Sequence, residues 1–396
     1  MRADIVIGAN FGDEGKGLTV NALTEGKNTL VILTNGGAQR GHTVVENGVR
    51  HIFHHFGSGS LKGAASYFCE DFIVNPVEFC KEWEELSLQL SGKTIVMPTC
   101  YADENCRVST IFDMIGNCLR NLDNGLNDST GFGIYETINR YNADSSFKHL
   151  GELLKLNSYG IKQELSKISK YYLIMYKKLY ETSNNDKVKF FYNLLSDPKL
   201  IENNWVDIDT FKFYVEIKPL SETVKSYSQI IFEQGQGLGL DNDIDIEFGT
   251  PSKTNSYLPI KYLTELNIKE ANRYYITRSY ITRHGDGNLT DENKDIKLDD
   301  KTNVHNDFQG SIRYAPFTEN NINNFMNRVA YDMNKTFDLP IKFNNNIVMT
   351  HYKPENEQLL LRFGVFLGIN NLFYSDDEEK PLKISEKAKS IIKIIV

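Results

Sequence analysis

Apolar residues in this chain gather in short continuous runs. Residues 3–9 (ADIVIGA) and 29–35 (TLVILTN) read as strands covered on both faces, because unbroken apolarity is what a doubly buried strand shows. Residues 15–27 between them have the length of one helix. Strand, glycine-rich turn, helix and strand form a βαβ unit and predict a parallel sheet. Further runs at Lys93–Met97, Ile230–Phe232, Tyr274–Thr277 and Asn346–Thr350 are each followed by Gly, Pro, His or charged residues. Strands end this way when a site is built at the carboxyl edge of their sheet. Over 148–181, Leu153, Leu156, Ile161, Leu165, Ile168 and Tyr172 keep helical spacing, with a break near Gly160, and Lys162, Lys167, Lys170, Lys177 and Lys178 supply a solvated face. The predicted fold is α/β: a large, mostly parallel central sheet flanked by helices, with a P-loop-NTPase-like glycine-rich loop after the first strand. No Pro/Gly/Ser linker divides the chain, so one domain over 1–396 is expected, with a helical insertion around 148–200.

Composition narrows the function classes. The chain has 396 residues, 40% of them hydrophobic, and a net charge of −8 from 44 basic and 52 acidic side chains. An acidic surface is a poor partner for nucleic acid, which needs a basic face to neutralise phosphates. No run of about 18 apolar residues is present, so no membrane span is expected. The first residues lack a basic segment followed by an apolar one, which leads us to expect a cytoplasmic protein. Five cysteines without a CxxC pair read as reduced structural thiols. His51, His54 and His55 invite a metal reading, but no acidic or Cys ligand shares their spacing, and a structural cluster is expected. The acidic run from Asp241 to Glu247 lacks the glycine and glutamate of a calcium loop and reads as a surface insertion. The Asn-rich stretch 319–346 carries apolar residues throughout and is expected to be ordered.

Two loops carry the candidate chemistry. Gly8 to Gly17 (GANFGDEGKG) directly follows the first strand. Its glycines let backbone N–H groups approach phosphate oxygens, the following helix adds partial positive charge, and Lys16 adds a full one. The residue after the lysine is Gly17, so no hydroxyl there can hold Mg²⁺ as in a standard P-loop. Asp13 is either a replacement ligand, since Mg²⁺ favours carboxylate oxygen, or a general base. Asn35 to Thr43 (NGGAQRGHT) follows the second strand and places His42 between glycine-rich turns, where an imidazole can reach a ligand.

GDEGKG followed about 20 residues on by GGxxxGHT resembles adenylosuccinate synthetase, the ligase that joins L-aspartate to IMP at the expense of a nucleoside triphosphate. Ser129–Ile134 resembles that family's TTGRGIG loop, Phe232–Gly237 its FEGAQG, Gly249 to Ser256 its GT…VTSSN and Thr282–Gly287 its TRVGxGP, so that the order holds over residues 1–316. The resemblance implies that Asp13 takes the proton from purine N1 and helps to hold Mg²⁺ together with the Gly41 carbonyl. It implies that His42 stabilises charge at O6 as the γ-phosphoryl arrives, and that Gly12, Glu14, Gly15, Lys16 and Gly17 bind phosphate. Gln39, Thr130, Gln236 and Thr254 would grip the mononucleotide. Arg140 would be a further phosphate ligand reaching across a homodimer interface. Arg313 and Ser311 would lie at the aspartate site, where a guanidinium suits a carboxylate.

The departures bear on the substrates. Ser311 stands where the family has an arginine, which removes a charge-assisted contact worth roughly 1.5–3 kcal/mol. Thr350–Lys353 lacks the guanine-reading aspartate of TKxD, and nothing near Tyr374–Asp377 matches the closing STGPDR. The expected donor is therefore GTP, ATP or dATP. The favoured expectation is a ligase acting on IMP. The alternatives are a phage-type ligase of aspartate and (d)GMP on the route to 2-aminoadenine, and an inactive nucleotide-binding paralogue.

Overall fold

The computed structural model describes residues 1–125, 130–241, 243–244, 256–285, 287–295, 310–377 and 382–385. Its frame is a ten-stranded sheet. In spatial order the strands are 383–384, 371–374, 342–350, 270–278, 2–8, 229–237, 29–33, 65–68, 100–102 and 215–217. Every pairing is parallel except that of the edge strand 383–384 with 371–374. The first strand, β1 (Arg2–Gly8), sits near the middle and is buried from Ala3 onward. That is why its sequence is a continuous apolar run rather than an alternating one. The exception inside it is Asp4, whose carboxylate accepts from Gln229 Nε2 at 2.9 Å and Asn272 Nδ2 at 2.8 Å.

Two apolar layers cover the two faces. Val6, Val31, Ile231 and Val348 point to one, and Ile5, Ile32, Phe232 and Ile347 to the other. Adjacent strand residues alternate between the layers, as the pleat requires. The helix α1 (Lys16–Leu23) crosses from β1 to β2 (Thr29–Leu33), so the predicted βαβ unit is present.

Two expectations are corrected. Lys93–Met97 forms no strand: it follows the helix Pro76–Leu90, turns at Gly92 (φ 76°), leaves Val96 79% exposed, and the strand begins only at Cys100. The break in the helical stretch lies at Leu156–Asn157, not at Gly160. Asn157 caps the helix Ser158–Thr182 by accepting from the Gly160 N–H, so the glycine sits inside the first turn. Four helices between Leu150 and Tyr214 lie between the two strands at that end of the sheet. Within them Ile161, Leu165, Ile168 and Tyr172 are buried as expected. The Asn-rich stretch forms the helix Glu319–Asn334 and the start of the strand Lys342–Thr350.

Candidate active site

The carboxyl ends of β1, β2 and the strand Gln229–Gly237 open onto one cavity of about 400 Å³. Gly12, Asp13, Gly15, Lys16, Gly17, Gln39, Gly41, His42, Thr130 and Gln236 all line it. The two glycine-rich loops, read separately in the sequence, therefore face each other. Gly17 explains the missing P-loop hydroxyl, because a Cβ there would lie 3.0 Å from the His42 Cβ and 3.1 Å from the Thr43 carbonyl. The helix and the His42 strand can approach only because that position has no side chain.

Glu14 lies in the wall rather than facing the cavity. Its Oε1 accepts from the Asn10 and Gly12 backbone N–H groups at 3.0 and 2.9 Å, and its Oε2 accepts from Lys16 Nζ at 2.7 Å. Both side chains of this pair are buried. A carboxylate so placed folds the loop and holds the lysine, and it would repel a phosphate, so its role is bracing. A Cβ at Gly8 would fall 2.4 Å from Glu14 Oε2, which accounts for the glycine that ends β1.

Asp13 adopts φ 60°, in the left-handed region. Its carbonyl accepts from Arg278 Nε. Its Oδ2 lies 3.2 Å from His284 Nε2. Desolvation alone would raise its pKa; the hydrogen bond and charge of His284, then Arg278 and Lys16, pull it below the ordinary carboxylate value.

His42 turns its Nδ1 to Glu233 Oε1 at 2.5 Å, and Arg40 Nη2 donates to the same oxygen at 2.9 Å. Ser58 N–H donates to Glu233 Oε2 at 3.0 Å. Burial, with Arg40 next to it, lowers the His42 pKa to about 4 against the partial offset of Glu233. The imidazole is neutral at pH 7, with Nδ1–H donated to Glu233. The other nitrogen, Nε2, is buried without a partner among the described residues, as are Gln39 Oε1, Gln236 Oε1 and Thr43 Oγ1. Buried polar atoms are nearly always paired in the working state of a protein. All four belong to residues of this cavity.

Other expected site residues lie elsewhere. Arg140 is fully buried in this chain. Its Nε and Nη2 donate to the Asp113 carboxylate at 2.8 and 3.1 Å, and Nη2 also donates to the Val108 carbonyl. It has no surface to offer a phosphate, and its reading as a phosphate ligand is corrected. Arg313 is also committed: it forks onto Glu292, with Nη2 at 2.6 Å, and donates from Nη1 to the Gly285 and Gly287 carbonyls at 2.9 Å. It ties down Gly285 and Gly287 and does not line the cavity, while Ser311 is exposed. Thr254 lies outside the described residues, as does most of the acidic run after Asp241. His51 and His55 stand 3.6 and 3.7 Å from Glu82, which their spacing did not reveal, and Glu82 also takes the His54 and His55 backbone N–H groups. These contacts tie the histidines to Glu82 in the interior of the fold.

Reading by sequence missed Glu233, Arg278 and His284. All three lie in segments where a motif or strand end was visible, but their partners are more than 190 positions away.

For Mg²⁺, the donor set fits. The Asp13 carboxylate and the Gly41 backbone share the cavity, and Mg²⁺ characteristically takes one or two protein oxygens and completes its sphere with phosphate and water. Among the described residues no group of three His, Cys, Asp or Glu is placed to cage a metal. Nor is any described helix long and apolar enough to cross a membrane.

Comparison with known proteins agrees with this geometry. The adenylosuccinate synthetase family model matches residues 5–310. The adenylosuccinate synthetase of Wigglesworthia glossinidia brevipalpis is 26% identical over 319 residues, which cover 74% of this chain and 67% of that protein. That of Saccharomyces cerevisiae is 28% identical over 299 residues, or 72% and 65% of the two. The chain thus spans about two thirds of the length of the curated relatives it matches. Among solved structures, fully ligated adenylosuccinate synthetase from Plasmodium falciparum superposes with a TM-score of 0.64 at 18% identity, over 97% of this chain and 100% of that one. The succinoaminodeoxyadenylate synthetase of cyanophage S-2L, bound to dGMP and dATP as an energy donor, superposes at 0.61 and 11% identity, over 99% and 98%. The structural likenesses establish the shared fold. With the family model covering well over half of the sequence, and both of its glycine-rich loops meeting in one cavity, the chain belongs to the adenylosuccinate synthetase family.

Proposed function

We propose that this protein is a ligase that joins L-aspartate to C6 of a 6-oxopurine mononucleotide, with IMP favoured, through a 6-phosphoryl intermediate and at the expense of a nucleoside triphosphate. One observation carries the reading: an ionised Asp13, Lys16 and the unpartnered Nε2 of His42 converge on one cavity at the start of α1. Asp13 takes the proton from N1, which places charge on O6; O6 then attacks the γ-phosphorus, and the bond to the bridging oxygen breaks as the nucleoside diphosphate leaves. Phosphoryl transfer is mainly positioning and charge stabilisation, and backbone N–H groups of the loop, the helix end and Lys16 supply both. His42 faces the transferring group with Nε2; when it takes a proton there, Glu233 behind it balances the charge. The aspartate amine then attacks C6, and the 6-phosphoryl group leaves as phosphate. Mg²⁺ held by Asp13 and the Gly41 carbonyl would neutralise phosphate charge. Gln39, Thr130 and Gln236 are the proposed grips on the mononucleotide. The donor is GTP, ATP or dATP, and the protein works as a homodimer whose sites Arg140 does not complete.

The test is a matrix of IMP, dIMP, GMP and dGMP against ATP, dATP and GTP, with aspartate and Mg²⁺, and products identified by mass. The expected result is a succinylated purine nucleotide with IMP as the best acceptor. Asp13→Asn and His42→Asn should each lower turnover on the order of 10²-fold or more while the melting transition persists. Succinylation with no nucleotide pair, or near-wild-type turnover in both variants, would overturn the proposal. A best acceptor carrying a 2-amino group would select the phage-type reading.

A further inference from the structure

We propose that Arg40 binds a phosphate group of a nucleotide held in the cavity, through guanidinium donors that the protein leaves unpaired. This rests on the reading of the cavity as a nucleotide site. Arg40 lines that cavity between Gln39 and Gly41, and its side chain is fully buried. The backbone that carries it is fixed. Gly36–Gly37 pairs with Phe72–Ile73, and the Arg40 N–H closes a turn onto the Gly37 carbonyl at 3.2 Å.

Glu233 meets Arg40 end-on. Nη2 donates to Glu233 Oε1 at 2.9 Å and lies 3.2 Å from His42 Nδ1, so the guanidinium stands beside the imidazole. The contact does not extend to a fork, because Glu233 Oε2 turns to the Ser58 N–H at 3.0 Å. Nε and Nη1, which carry most of the guanidinium's N–H donors, are buried without a partner among the described residues. Buried donors of a charged group are costly to leave unmade, and an anion satisfies both their hydrogen bonds and their charge. Phosphate is the anion that this reading brings into the cavity. The other cations named above are engaged. Arg140 is committed to Asp113, Lys16 shares its charge with Glu14, and Arg278 holds the Asp13 carbonyl and donates from Nη1 to Tyr280 Oη at 3.0 Å. The proposed grips Gln39, Thr130 and Gln236 are uncharged. A phosphate dianion held by amides and a hydroxyl alone would be poorly compensated, and Arg40, next to Gln39, supplies positive charge from within the chain.

The phosphate comes from the mononucleotide or from the triphosphate, and two probes separate them. Calorimetry measures binding of IMP, and of inorganic tripolyphosphate, which presents a donor's phosphates without its base. The proteins are wild type, Arg40→Lys and the double variant Arg40→Gln/Glu233→Gln. Lysine keeps a positive charge for Glu233 but lacks the planar set of donors. It should weaken one of the two probes by about tenfold or more while the melting transition persists. A loss for IMP alone assigns Arg40 to the mononucleotide phosphate, and a loss for tripolyphosphate alone assigns it to the donor. The double variant removes both charges and gives the same readout should the lysine variant not fold. No loss for either probe would mean that Arg40 only neutralises Glu233, and equal losses for both that the substitution has deformed the cavity; either result overturns the proposal. If wild type binds neither probe, the reading of the cavity as a nucleotide site fails, and this inference falls with it.

Discussion

At the residue scale, His42 owes its usefulness to what stands behind it. Glu233 takes the Nδ1 proton and so leaves Nε2 for the cavity, while Arg40 keeps the buried carboxylate neutralised. Substituting Glu233→Gln removes the charge with little change of shape. Arg40, which is fully buried, is left without its counter-ion, and His42 loses the acceptor that fixes its tautomer. We predict a loss of about 3 kcal/mol in urea unfolding, as for a broken buried ion pair. We also predict a fall in kcat on the order of 10²-fold, with a smaller change in KM for the mononucleotide. Unchanged kcat in the folded variant would show that Glu233 is structural only. Asp13, Lys16 and His42 were legible from the sequence because each sits in a loop whose glycines advertise close backbone approach. Glu233 was not, because its partner His42 lies 191 positions away and only the register of the Gln229–Gly237 strand beside β2 brings them together.

At the scale of elements, Asp113 shows how one side chain joins three helices. It caps the helix Ile111–Asn124 by accepting from the Thr110 N–H at 2.8 Å. It holds Arg140 of the helix Ile134–Ala143 and accepts from Tyr172 Oη of the helix Ser158–Thr182 at 2.7 Å. An arginine soon after a glycine-rich loop resembles a phosphate ligand in sequence; the carboxylate that claims it is 27 positions earlier in the chain. Linear patterns exposed which segments are strands and helices, yet not which charges neutralise one another. Lys93–Met97 failed for a related reason, since short apolar runs do not reveal whether a neighbouring strand is available to pair with them. Removing the guanidinium leaves Asp113 buried and uncompensated. Arg140→Ala is therefore expected to cost about 3–5 kcal/mol of stability. A mixture of Asp13→Ala with Arg140→Ala subunits should regain no activity beyond that of its parents. Recovery on mixing, with an Arg140→Ala protein of normal stability, would restore the arginine to a partner's site.

At the scale of the molecule, the fold buries histidines in neutral form, and this ties stability to pH. Burial lowers His42 to about 4 from its ordinary 6.5, and burial likewise lowers His55. The unfolded chain therefore takes up protons near pH 6.5 that the folded chain refuses. Wherever the unfolded state binds more protons, stability falls as pH falls. The contribution of these residues is complete above 6.5 and is lost progressively below it; for His42 alone, down to pH 4, it reaches at most about 3 kcal/mol. The carboxylates act in the same direction at lower pH. Burial would raise Glu82, but the facing His51 and His55 imidazoles hold it well below the ordinary 4.5, so its protonation also favours the unfolded chain. We predict that the urea midpoint falls steadily from pH 7 to pH 5 and more steeply below 4.5. His42→Asn should flatten the first part of that decline, because it removes one of the protonations that open it. A midpoint that stays level or rises from pH 7 to pH 5 would mean that the buried imidazoles are already charged at neutral pH, and with them the nitrogen that His42 turns toward the cavity.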